Sequence, residues 1–114
     1  MKFERELLKG VAPVVVLEIL ARGAMYGYEL SAAIASRSGD ILTLGRGTLY
    51  PLLYNLEAKG LIKGVWQDAE SGRNRRYYGI TSRGKKHLAA QKQQWRQLQA
   101  GVGMVLGAPS PALA

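Results

Sequence analysis

The sequence has no cysteine and only one histidine and one phenylalanine among its 114 residues. Without cysteine there is no disulfide, no zinc–thiolate site and no thiol nucleophile. The lone histidine, His87, has no acid or nucleophile at motif spacing and reads as a surface residue. An enzyme would need a nucleophile–base pair, a metal cluster or a phosphate loop. Gly45-Arg46-Gly47-Thr48 lacks the Gly-Lys-Ser/Thr ending of a P-loop. No catalytic residue, metal or cofactor is therefore expected. No apolar run is long enough to span a bilayer. The N-terminal stretch carries Glu4 and Glu6 and does not match a signal peptide. The expectation is a cytoplasmic protein with no membrane partner.

Acidic charge is also scarce, with 8 Asp and Glu against 16 Lys and Arg, a formal net charge of +8. The excess is concentrated. Residues 1–45 carry five charges of each sign, whereas residues 59–87 carry eight basic and two acidic side chains. Such a patch attracts phosphate backbones and releases their counterions. A solvated basic face or attraction to anionic lipid would give the same count. Lipid binding, however, favours a basic amphipathic helix with exposed bulky apolar residues. Here most of the charge falls on a predicted hairpin.

The organising stretch is residues 45–60, a helix with glycine at both ends. Leu49, Leu52, Leu53 and Leu56 follow the i, i+3, i+4, i+7 spacing of one apolar stripe. Thr48 is the expected N-cap, Pro51 is placed in the first turn, and Gly60 suits a left-handed C′ position. The opposite face carries Arg46, Tyr50, Pro51, Tyr54, Asn55 and Lys59. That face suits insertion into a DNA groove, although an amphipathic helix lying on a core has the same stripe. Asn55 is a candidate for pairing with adenine. Thr48 could also touch a phosphate at the helix N-terminus.

Upstream, residues 4–22 read as a helix that is apolar almost all round from Val14 to Leu20. Such a helix is buried on more than one side. Pro13 is expected to kink or break it. Arg22-Gly23-Ala24-Met25 reads as a turn, and Gly27 to about Ser38 as a second helix facing the core with Leu30, Ala33 and Ile34. Residues 40–44 read as an extended linker or minor strand. Downstream, Lys63–Trp66 and Arg76–Ile80 read as strands, joined by a polar, basic tip at residues 67–74. Lys63, Arg73, Arg75 and Arg76 are candidate DNA contacts, and strand alternation puts Arg75 and Arg76 on opposite faces.

Thr81 can cap a last helix from Ser82 to about Val105. Its apolar residues Leu88, Trp95, Leu98 and Val102 recur as a heptad seam. Together with Leu7, Val11 and Val15 of the first helix, they form the expected dimer interface; packing back onto the same chain is the alternative. Trp66 reads as structural. The fold expected is mainly α with a small β-hairpin: a winged helix-turn-helix over residues 1–80, a C-terminal dimerisation helix over 81–106, and a disordered tail over 107–114.

Three segments, read together, resemble the PadR family of transcriptional regulators. They are Tyr26-Gly27-Tyr28-Glu29-Leu30, Gly47–Ile62 with its Thr-Leu-Tyr-Pro-Leu-Leu start, and Arg75–Gly84 with Arg-Arg-Tyr-Tyr-Gly-Ile-Thr. The single C-terminal helix is similar to the smaller subfamily that includes the lactococcal multidrug regulator. The resemblance implies a homodimeric repressor of a pseudo-palindromic operator in double-stranded DNA, released by a small aromatic effector. It also implies a ligand role for Trp95, which matches a drug-stacking tryptophan. Val14 and Glu18 would face the same pore, with Gln99 one turn beyond Trp95. Gln99 stands where the multidrug regulator has an acid, and Glu18 could supply a negative charge instead. The competing reading is a winged helix that docks an acidic protein partner without sequence-specific DNA binding.

Overall fold

A computed structural model of the chain describes residues 3–68, 70 and 72–107. Four helices and a three-stranded antiparallel sheet follow in the order α1 (Arg5–Leu20), β1 (Met25–Tyr26), α2 (Gly27–Arg37), α3 (Arg46–Ala58), β2 (Ile62–Asp68), β3 (Asn74–Ile80) and α4 (Ser82–Leu106). The sheet order is β1-β3-β2. The hairpin register pairs Ile62 with Ile80 and Trp66 with Arg76.

The core gathers the apolar faces of these elements. Val16, Leu17, Ile19 and Leu20 of α1 meet Leu30 and Ile34 of α2, Leu49, Leu53 and Leu56 of α3, and Ile62 and Tyr78 of the sheet. Leu52, the fourth leucine of the α3 stripe, lies at its edge, half-buried. Both α2 and α3 end in the same reciprocal turn. After α3, Gly60 takes φ 75°, its N–H donates to Glu57 O (2.9 Å), and Leu61 N–H donates to Leu56 O (3.0 Å). This pairing of the last free carbonyls needs a left-handed residue, which glycine adopts without strain.

Several local expectations are corrected. The first helix is continuous through Pro13. The ring removes one N–H, but Lys9 and Gly10 beside the lost bond are exposed, so water can serve the freed carbonyl and core packing holds the helix. Thr48 is not the N-cap. The helix starts two residues earlier, with Gly45 extended at the cap position and no side-chain cap. Pro51 accordingly lies inside α3, beyond its first turn. The third strand is Met25–Tyr26, within and just after the expected turn, because it pairs with Tyr77 and Tyr78 of β3. Residues 40–44 form no strand. Ser38 Oγ instead accepts from Leu42 N–H (2.9 Å) and folds that linker back. The hairpin strands also run further towards the tip than residues 66 and 76. Of the tail expected over 107–114, only Gly107 lies within the described residues.

α4 begins as predicted: Thr81 Oγ1 accepts from Gly84 N–H at 3.0 Å, a cap that contributes about 1 kcal/mol. Gly84 is required there by space, since a Cβ would lie 2.0 Å from the carbonyl oxygen of Leu61. Only Gly84 and Leu88 of α4 are buried. The rest of this 25-residue helix leaves the core, and at about 1.5 Å per residue it accounts for much of the 53 Å long axis.

Candidate nucleic-acid interface

α3 turns its leucines inward, and its other side is free. Arg46, Gly47, Thr48, Tyr50, Pro51, Tyr54, Asn55, Ala58 and Lys59 are all exposed, Tyr54 at 79%. The face divides lengthwise. Tyr50 leans toward α2, and its hydroxyl would lie 2.5 Å from a Cβ at Gly27. Gly27 thus lets the start of α2 approach the recognition face. Thr48, Pro51 and Asn55 lie along the other edge. There they line a groove of about 730 Å³ with Arg5, Leu8 and Lys9 of α1.

The two hairpin arginines have opposite surroundings. Arg76 Nη2 donates to Glu57 Oε2 at 2.7 Å, and the same oxygen accepts from Gly64 N–H at 3.0 Å. Glu57, the only acid of α3, therefore ties the helix to both hairpin strands. Gly64 makes room for this bridge, because a Cβ there would meet Arg76 Nε at 2.5 Å. Arg76 also lies near the rings of Trp66 (5.6 Å) and Tyr78 (5.8 Å). Burial pushes the Tyr78 hydroxyl above its ordinary pKa of 10.0, while the Arg76 charge opposes that shift. Arg75 points to the other face and stands over the Tyr26 ring at 4.4 Å. Arg73 at the tip, Lys59 at the end of α3 and Lys63 on β2 are exposed.

A second concavity lies between α1 and α4. Gly10, Val11, Val14, Gln91, Gln94, Trp95, Gln97 and Leu98 line a groove of about 480 Å³. Trp95 is 40% exposed. Val14 and Trp95 thus meet as expected, but Glu18 and Gln99 are not among the lining residues. Glu18 forms an ion pair with Lys92. Of the expected interface residues, Leu88 is buried in the chain's own core. It lies beside the capped start of α4, so the seam splits: Leu88 packs internally, whereas Leu7, Leu98 and Val102 are exposed and Val11 and Val15 half-buried.

The family model described as Transcriptional regulator PadR-like family matches residues 16–90, from the middle of α1 into α4. The chain belongs to this family. A PadR-like transcriptional regulator from Bacillus cereus is 32% identical and superposes with a TM-score of 0.76, over 91% of this chain and 99% of that one. A PadR family regulator from Eggerthella lenta is 36% identical, with a TM-score of 0.77 over 89% and 86% of the two chains. A transcriptional regulator from Clostridium thermocellum is 27% identical and gives 0.81 over 87% and 96%.

This PadR-like chain is thus a transcriptional regulator with a winged-helix fold, not an enzyme. Two of its exposed aromatics fall outside the candidate contacts named from sequence. Tyr28, in the first turn of α2, is 74% exposed, and Trp66 on β2 is 62% exposed. The Tyr28 and Tyr26 rings are stacked 6.4 Å apart, so Tyr28, Tyr26 and Arg75 form one cluster linking α2 to the hairpin. The Tyr-Gly-Tyr segment was a signal for this cluster, but its partner Arg75 is 47 positions or more away in sequence. Trp66 carried no such signal, because an aromatic on a strand packs inward as often as not.

Proposed function

We propose that the chain is a cytoplasmic homodimeric repressor. Each protomer holds one half of a pseudo-palindromic operator with α3 and the hairpin, and a small aromatic compound bound between α1 and α4 releases the DNA. The observation that carries this reading is the exposed face of α3, polar and aromatic, beside exposed cations on the hairpin. Arg46, Tyr50, Pro51, Tyr54, Asn55 and Lys59 enter or flank the major groove, as a recognition helix does. Lys63, Arg73 and Arg75 reach the adjoining backbone. Arg76 acts one step back, holding Glu57 and so fixing the hairpin against α3.

Dimerisation is supported by the apolar side chains that the second half of α4 leaves in water. Trp95, Leu98, Val102, Val105 and Leu106 are all exposed, a patch that mates with a second copy through α4 and the outer side of α1. Residues 1–80 are then the reading unit and 81–106 the pairing helix, as in the smaller PadR subfamily with one C-terminal helix.

The test is fluorescence-anisotropy binding to DNA from upstream of the protein's own gene, against a scrambled fragment, at two salt concentrations. A preference of about 4 kcal/mol or more for the native fragment is expected. Replacing Arg73 and Arg75 by Ala weakens binding to both fragments and flattens the salt slope. Equal binding to both fragments removes the operator reading and leaves a basic docking surface.

A further inference from the structure

The groove between α1 and α4 has a chemical character that narrows what it can hold. No side chain lining it is charged: three glutamines, two valines, a leucine, a glycine and a tryptophan surround it. The acid nearest in sequence on α1, Glu18, is already matched by Lys92. A cation entering the groove would leave water without meeting a free anion, which is strongly unfavourable. The chain's net charge of +8 adds a further repulsion.

The apolar lining favours a flat ring system. Trp95 offers an aromatic surface with Val11, Val14 and Leu98 around it. Gly10 leaves its side of the groove open, since a Cβ there would meet nothing within 4 Å. The volume, about 480 Å³, falls in the range of small-molecule pockets.

One polar atom then points to a donor. Gln91 lines the groove, and its Oε1 is shut off from solvent with no hydrogen-bond partner among the described residues. Buried acceptors are almost always paired, so an unmatched one marks a group that gains by meeting a donor. Turning the carboxamide towards the groove brings this oxygen to an arriving N–H or O–H.

From these three observations we infer that the groove selects a neutral, flat aromatic compound bearing a hydrogen-bond donor, and discriminates against cations. This rests on the ligand-responsive reading above and adds the ligand's class.

Three tricyclic probes of nearly equal shape test it: carbazole, with a ring N–H; dibenzofuran, its ring-oxygen counterpart; and the cation N-methylacridinium. Binding is read as quenching of Trp95 fluorescence in Trp66→Phe, which leaves one tryptophan. Carbazole is expected to bind about tenfold more tightly than dibenzofuran, and the acridinium more weakly than either. Gln91→Leu removes the carbazole advantage, and Gln91→Glu shifts preference to the acridinium. Tightest binding of the acridinium by the Gln91-containing protein, or equal binding of carbazole and dibenzofuran, overturns the inference. So does an absence of quenching by all three. Release of labelled DNA is followed separately in the unmodified chain. Quenching without release upholds the ligand class and refutes induction by this groove.

Discussion

The first turns of α4 and its last turns belong to one continuous helix but obey different rules. At the start, Thr81 caps the helix, Gly84 lies against the Leu61 carbonyl, and Leu88 is sealed in the core. At the end, Leu98, Val102, Val105 and Leu106 stand in water, Val105 at 86% exposure. The first part is specified by contacts within the chain. The second has an apolar seam with nothing of its own to cover it, so its fixed position must come from association. The same helix is thus both a wall of the core and an unpaired surface.

The most severe way to break this contrast is Gly84→Ala. Its Cβ would press on backbone, so a loss of about 3 kcal/mol or more in urea unfolding is expected. Leu88→Ala should cost about 2–4 kcal/mol, from lost burial and the cavity left behind. Leu98→Lys with Val102→Lys should leave each protomer folded but convert dimers to monomers in light scattering. If those two lysines unfold the chain instead, the far half of α4 is part of the core after all. Glu57→Gln should cost at most about 1 kcal/mol, because both partners of the Arg76 pair are about a third exposed. DNA affinity should then fall with the loosened hairpin. Gly101→Ala has the opposite sign. Nothing lies within 4 Å of a Cβ there, and removing a mid-helix glycine stabilises by about 0.5–1 kcal/mol.

The smallest effect concerns pH. The folded pKa of Tyr78 is raised, so its contribution is complete below the ordinary value of 10.0 and is lost as pH rises through the folded value. Urea titrations across that alkaline range should show stability falling, and less steeply in Tyr78→Phe.

Where residues were legible in sequence, local physics decided them. The leucine stripe of α3, Gly60 at its end and the Thr81 cap each depend on neighbours within a turn or two. Where the reading failed, a distant partner decided. Pro13 stays inside α1 because the helix is held by packing on α2, α3 and the sheet. Met25 and Tyr26 become a strand only because Tyr77 and Tyr78 arrive beside them. The Thr48 cap failed more locally: Gly45 already supplies an extended residue at which the helix can start. Among the candidate contacts, the alternation of Arg75 and Arg76 could be read from strand period. That Arg76 would be held by Glu57, 19 positions earlier, could not.

Leu61 gives the molecule a mechanical joint. Its carbonyl accepts Thr81 N–H at 3.1 Å, lies within reach of the Thr81 hydroxyl at 3.0 Å, and rests beneath Gly84. One peptide group therefore couples the end of α3, the root of the hairpin and the root of α4. With no flexible spacer between reading head and long helix, α4 works as a lever. A tilt of 5° over its roughly 37 Å length corresponds to a sweep of about 3 Å at the free end. In reverse, a few ångströms of displacement imposed there is returned as a turn of the DNA-reading face.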